Sequence, residues 1–183
     1  MAVHPIRILG DPVLRQKAKR LPKAALSPVL PRAGGPASGG EGIDASIHRL
    51  IQDMIDSMRT ANGVGLAAPQ IGVSLRLIVI GLPDEEPFAL INPQIVKRSG
   101  ERPVEEGCLS VQGYRAELTR SLTVVAKGLD EQGRPVRIKA HDNLLAQALE
   151  HEIDHLNGIL YIDHLPSLDA LVKVEAEEEP ARR

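Results

Sequence analysis

The chain has 183 residues, 43% of them apolar but only 2% aromatic, and a net charge of −2. That length suits one domain with an aliphatic core, and so small a charge excludes the basic field that nucleic acid as a direct substrate would demand. A single cysteine, Cys108, excludes an internal disulfide framework, and no apolar run is long enough to read as a membrane span, so a cytoplasmic location is expected.

The first ten residues carry no apolar core of a signal peptide and no transit pattern. An apolar pair, Ile8-Leu9, precedes the turn signal Gly10-Asp11-Pro12, and one or two helical turns are expected between Pro12 and Lys19. From Leu21 to Gly42 the composition shifts to Pro, Gly, Ala and Ser, which reads as a flexible surface loop. Asp44 to Ala61 is the strongest amphipathic pattern. Ile47, Leu50, Ile51, Met54, Ile55 and Met58 recur at helical spacing behind a capping Asp44 or Ser46, and Asn62-Gly63 ends the run. The small-residue segment Gly63 to Gln70 allows another backbone to come close. It lacks the glycine spacing and the preceding strand of a dinucleotide site. Strands are expected at Leu75 to Ile80 and Ala89 to Val96. Leu122 to Lys127 and Val136 to Lys139 flank the hairpin signal Asp130-Glu131-Gln132-Gly133.

A second helix is expected from Asp142 to Asn157, stopped by Gly158, and it carries His151-Glu152-Ile153-Asp154-His155. Four residues advance a helix by about 400°, so the two histidines stack on one face, one turn apart. Two imidazoles so placed can grip one divalent metal, with Glu152 close enough to reach a water at that metal as a general base. Leu144 and Ala148 precede the histidines on the same face, which suggests a substrate with a hydrophobic side chain near the reacting bond. Leu145, Leu149, Ile153 and Leu156 make the core face.

A catalytic site of this type needs a third protein ligand. Tyr161 stands where one zinc-peptidase pattern, H-E-x-x-H-x-x-G-x-x-H, would have its third histidine, and His164 comes three residues too late. Cys108, within Glu106-Gly107-Cys108-Leu109-Ser110, is the remaining candidate. A thiolate with two imidazoles admits iron, zinc, cobalt or nickel but not magnesium or calcium. A nucleophilic role for Cys108 with a histidine base is the rival.

Taken together, Gly63-Val64-Gly65-Leu66-Ala67-Ala68-Pro69-Gln70, Glu106-Gly107-Cys108-Leu109-Ser110 and His151-Glu152-Ile153-Asp154-His155 resemble, in order and spacing, the three motifs of the peptide deformylases. Ile8 to Arg15 and Ile91-Asn92-Pro93 are similar to that family too. The resemblance implies an α+β fold with antiparallel sheets packed around a central helix that carries the H-E-x-x-H motif. It implies a single catalytic domain over residues 1–168, with a charged tail at 169–183. The implied activity is removal of the N-formyl group from the N-terminal formyl-methionine of newly made chains, with formate released. Cys108, His151 and His155 would hold one divalent metal, Fe²⁺ in the cell, with Zn²⁺, Ni²⁺ or Co²⁺ as substitutes. Glu152 would be the general acid and base, and Gln70 and the backbone N–H of Leu109 would receive the oxyanion. The peptide would add as a strand beside Gly65 and Gly107, with its methionine near Val64, Leu144 and Ala148 and with Arg115 close by. Asp154 would pair with a strand arginine, Arg120. Glu150 departs from the family, which often has Gln there. The partners implied are formyl-methionyl nascent peptides and the ribosome near its exit tunnel, with no membrane. A zinc-type peptidase and a structural metal site in a binding module remain the other readings. His141 or His164 among the ligands would favour the structural site.

Overall fold

The computed structural model describes residues 2–22 and 43–174. The loop expected at 21–42 falls outside the described residues beyond position 22, and the charged tail expected at 169–183 does so beyond position 174.

The first long helix, α1 (Ala45–Thr60), starts where expected, with the Asp44 side chain accepting from the Ser46 N–H. Its stripe of Ile47, Ile51, Met54, Ile55 and Met58 is buried. Fully burying one such side chain stabilises by about 1.5–3 kcal/mol, so the stripe fixes which way the helix faces. Asn62 ends it in the left-handed region, at φ 54°.

The strands β1 (Gly65–Ala67), β2 (Leu77–Ile80), β3 (Phe88–Cys108), β4 (Val111–Leu129), β5 (Pro135–His141) and β6 (Val172–Lys173) are all antiparallel. They form one connected sheet in the order β1-β2-β3-β4-β5, with β6 added to β4, rather than separate sheets. β2 shows why this chain folds in layers. Its Leu77 and Val79 join the cluster around α1, while Ile78 and Ile80 join the cluster around α2 (Leu144–His155). A strand covered on both faces has to be apolar at every position, and Leu77-Ile78-Val79-Ile80 is.

β3 and β4 form a long hairpin, paired from Ile91↔Leu129 to Gly107↔Arg115 and bent by register shifts near Asn92-Pro93, at Val96 and at its tip. The Asp130 carboxylate closes the next turn by accepting from the backbone N–H groups of Gln132 and Arg134. Helix α2 begins under an Asn143 side chain that accepts from the Ala146 N–H. Beyond it, Gly158 adopts φ +75°, and a Cβ there would fall 2.6 Å from the Arg15 carbonyl oxygen. The Ile8-Leu9 pair does not enter the core, being 56% and 48% exposed. What this segment contributes is backbone. The Arg7 N–H donates to the Gln70 carbonyl, and the Leu9 N–H to that of Ser110, each at 2.7 Å.

Candidate active site

Cys108 is the last residue of β3, where the pairing slips from Gly107↔Arg115 to Cys108↔Val111. Alternation along the strand puts Val104, Glu106 and Cys108 on one face, and that face meets α2. From α2, His151 and His155 project one turn apart, their rings 5.0 Å between centroids and nearly perpendicular. His155 Nε2 lies 3.2 Å from Cys108 Sγ. His151 Nδ1 lies 2.9 Å from a Glu106 carboxylate oxygen, which leaves Nε2 free to ligate. One donor atom from each of Cys108, His151 and His155 lies within 4.8 Å of the others. With bond lengths of about 2.0–2.3 Å, donors around a tetrahedral ion stand roughly 3.3–3.6 Å apart, so three donors can close on one ion and leave a position open. Burial, with His151 beside it, holds His155 well below its ordinary pKa, and a metal ligand has to be the neutral imidazole. The donor set fits a divalent transition metal.

The other candidate ligands are engaged elsewhere. His141 Nδ1 is 2.7 Å from the Thr123 hydroxyl. His164 Nε2 is 2.9 Å from Asp154. Tyr161, at the third-histidine position of the peptidase pattern, is buried and donates its hydroxyl to the Tyr114 carbonyl. Among the described residues, neither a four-ligand structural site nor the peptidase triad is assembled.

Glu152 is 4% exposed, and its Oε2 has no hydrogen-bond partner among the described residues. Burial, reinforced by the charges of Glu106 and Asp154 and opposed by that of His151, pushes its carboxyl up to about 7. Gly65 has a purpose beyond the close peptide approach expected from sequence. A Cβ there would fall 2.8 Å from Glu152 Cδ and 2.9 Å from Cγ, so the glycine makes room for the carboxylate. Gln70, buried in the 3₁₀ turn Ala68–Ile71, accepts from the Ala67 N–H at 2.8 Å. Its amide nitrogen is 3.2 Å from the Ser110 hydroxyl and 3.7 Å from Cys108 Sγ, which turns the N–H groups toward the metal-ligand side.

Sequence reasoning gave Glu106 and Ser110 no role. Glu106 holds His151 on one side and takes two bonds from the Arg120 guanidinium, at 2.8 and 3.0 Å, on the other. Burial would raise its carboxyl, but hydrogen bonds and charge from His151 and Arg120 hold it at about 2. Arg120 also donates to Asp154 at 2.6 Å, as the resemblance implied. A carboxylate behind a ligating imidazole fixes tautomer and ring orientation. The signal was available, since a residue two before the cysteine on a strand shares its face. Glu150, the departure from the family, turns away from the histidines. It accepts from the Ser121 N–H at 2.9 Å, the Ser121 hydroxyl at 3.0 Å and Arg98 Nε at 2.8 Å.

All of this opens on a cleft of about 770 Å³. Val64, Gly65, Gly107, Arg115, Leu144 and Ala148 line it, as do Glu152, Gln70 and Leu109. Val64 and Leu144, 38% and 40% exposed, are apolar side chains left facing this opening.

A family model described as polypeptide deformylase matches residues 3–170. The chain is 51% identical over 180 residues to the peptide deformylase of Dehalococcoides mccartyi (strain CBDB1), covering 98% of this chain and 96% of that one. It is 42% identical over 187 residues to the peptide deformylase of Thermomicrobium roseum, covering 98% and 95%. Among solved structures, a peptide deformylase from Legionella pneumophila superposes with a TM-score of 0.78 at 42% identity, over 92% of this chain and 89% of that one. One from Synechococcus elongatus in complex with actinonin gives 0.75 at 37% identity, over 91% and 81%. With a match that spans nearly the whole chain and relatives this similar, the chain belongs to the polypeptide deformylase family.

Proposed function

We propose that this chain hydrolyses the formyl amide at the N-terminus of formyl-methionyl peptides, giving formate and a free amine. The observation that carries the reading is a buried carboxyl, Glu152, with a free oxygen beside three convergent donors, Cys108, His151 and His155. A divalent metal held by those donors would supply Lewis acidity, acidifying water and polarising a carbonyl oxygen. Glu152 takes the proton of the water that attacks the formyl carbon. A buried carboxyl with one oxygen unpartnered suits a group that must first accept a proton and then return it. The Gln70 amide and the Leu109 N–H donate to the formyl oxygen as its negative charge grows, and losing one such donor costs about 10²–10³ in rate. The new C–O bond remains, the C–N bond breaks, and Glu152 hands its proton to the departing nitrogen.

The methionine side chain packs toward Val64, Leu144 and Ala148, with Gly107 giving the peptide backbone room along the edge of β3. In this reading α2 is the central element of the fold, and residues 1–168 are the catalytic unit. The ion we assign is Fe²⁺, with Zn²⁺, Ni²⁺ or Co²⁺ able to replace it, since a thiolate with two imidazoles suits these better than hard cations. We infer a cytoplasmic location near the ribosomal exit, where formyl-methionyl chains emerge. No helix among the described residues is long and apolar enough to cross a membrane.

The test is formate release from formyl-Met-Ala-Ser by protein prepared anaerobically with Fe²⁺, beside a Ni²⁺ sample and the Glu152→Ala variant. Rapid release that disappears in Glu152→Ala at unchanged metal content supports the reaction and the base together. A folded, metal-replete wild type that releases nothing refutes the assignment.

A further inference from the structure

The two oxyanion donors of the proposed reaction sit on different elements, Gln70 in the 3₁₀ turn Ala68–Ile71 and Leu109 at the tip between β3 and β4. Such donors act by being held where charge will develop, so the separation of the two elements matters. One tie between them is the Gln70 amide nitrogen at 3.2 Å from the Ser110 hydroxyl. The backbone adds two more, and both come from residues with no part in the mechanism above.

The Gln70 carbonyl lies near the end of its turn, where carbonyls have no partner within the turn. The Arg7 N–H donates to it at 2.7 Å. Leu109 and Ser110 are the two residues between Cys108 and Val111, which pair. The Ser110 carbonyl accepts from the Leu9 N–H, also at 2.7 Å. The donating residues are two apart, the spacing at which N–H groups of an extended chain point to one side. One short stretch therefore bonds to both elements at once.

That stretch is anchored at both ends. Upstream, the His4 N–H donates to the buried Ser57 hydroxyl of α1 at 2.9 Å, and Ile6 packs against the cluster around α1. Downstream, Asp11 caps the 3₁₀ turn Pro12–Arg15 and Leu14 is buried. The Ala18 N–H then donates to the carbonyl of Leu156, the residue after His155, at 2.9 Å. Between these anchors the side chains of Ile8 and Leu9 stay exposed, so burial of apolar surface is not what the crossing gains.

We infer that residues 7–9 are a positioning strap for the oxyanion donors. The Arg7 and Leu9 N–H groups hold Gln70 and the Leu109–Ser110 tip at a fixed separation. This rests on the deformylase reading above. Neither bond touches substrate or a candidate metal ligand. The strap acts through Gln70 and Leu109, so its loss is felt in the transition state, where the charge develops, and not in ground-state binding.

The experiment replaces the Arg7 or the Leu9 amide by an ester, which exchanges the N–H for an oxygen and keeps the side chain. Formate release from formyl-Met-Ala-Ser is measured with the Fe²⁺ protein. Each ester is expected to lower kcat about tenfold, short of the roughly 10²–10³ for losing a donor outright, with KM within about twofold of wild type. The Arg7 ester is then made in Gln70→Ala, which lacks the amide donor but keeps the carbonyl. No second fall in kcat is expected there, because the donor being positioned is gone, while the urea midpoint drops equally in both backgrounds. An equal further fall in Gln70→Ala, a change carried by KM alone, or a wild-type kcat in both esters overturns the strap and leaves the deformylase reading intact. A wild type that releases no formate overturns both.

Discussion

Substituting Gly65 by alanine tests the claim that this glycine exists to seat the general base. The added methyl would lie 2.8 Å from Glu152 Cδ and 2.9 Å from Cγ. Carbon atoms rest at about 3.5–4.0 Å, so the carboxylate or β1 must give way by roughly 0.7–1.2 Å. Glu152 is 4% exposed, so its carboxylate has little room to move aside. A displacement of about 1 Å at a reacting group costs on the order of 10²-fold, equivalent to about 2.7 kcal/mol of barrier. Overpacking of this kind also costs about 1–3 kcal/mol of stability. The expected result is a Gly65→Ala protein that binds metal like wild type, because Cys108, His151 and His155 are untouched, yet releases formate about a hundred times more slowly. Adding Glu152→Asp, which withdraws the side chain by one methylene, should recover the urea midpoint lost to the methyl group without recovering the rate. A Gly65→Ala enzyme within threefold of wild-type kcat/KM at equal metal content would refute the reasoning.

Three further outcomes follow from the same geometry. Arg120→Met leaves the buried carboxylates of Glu106 and Asp154 without their cation. It should lower the unfolding free energy by about 3–5 kcal/mol and, through Glu106 and His151, weaken metal binding about 10–100-fold; urea melts and chelator competition read the two effects separately. Gly158→Ala combines a left-handed φ of +75° with a Cβ 2.6 Å from the Arg15 carbonyl oxygen. It should cost about 1–3 kcal/mol in urea melts, whereas a wild-type midpoint would show that the chain there moves freely. Asp163, paired with Arg15 and accepting from the Leu160 N–H, is held below the ordinary aspartate range although burial pulls the other way. Its contribution is complete above the unfolded value and is lost as pH falls through the folded one, so Asp163→Asn should flatten the acid limb of the stability profile below about pH 4. The pair is partly exposed, so the effect should stay under about 1 kcal/mol, and an acid limb unchanged by Asp163→Asn would contradict the assignment.

What could be read from the sequence was whatever one face or one cap decides. The α1 stripe and the spacing of His151 and His155 follow from local periodicity. The far half of β3 and the near half of β4 were missed for a physical reason. Residues 97–103 and 112–115 bury no side chain, and only over 104–107 and 116–119 do exposed residues alternate with the buried Val104, Glu106, Ala116 and Leu118. A buried glutamate breaks the apolar pattern that identifies a half-buried strand. α2 misleads in the same way. Glu150, Glu152 and Asp154 are all buried, although charges at such positions usually face water. Each is affordable only because a distant residue answers it or because it works in the cleft. Ser121 and Arg98 answer Glu150, Arg120 answers Asp154, and Glu152 keeps one oxygen unbonded at the cleft. Those partners lie on β3 and β4, far away in sequence, where no local pattern reaches.

The division of the candidate metal ligands between a hairpin tip and a helix has a consequence for motion. Cys108 ends β3, while His151 and His155 ride on α2, more than forty residues later. An ion bound by all three fastens two segments that would otherwise breathe apart. Its binding free energy enters every opening that separates them, and enters no opening that leaves them together. Amide exchange should therefore respond unevenly to a chelator. Protection should fall along α2 and in the backbone around Cys108 to Val111, while the buried stripe of α1 and the β4–β5 hairpin keep theirs. An ion held there would act as a local latch between two halves of the cleft, and the regions that do not span it would be left to their own packing.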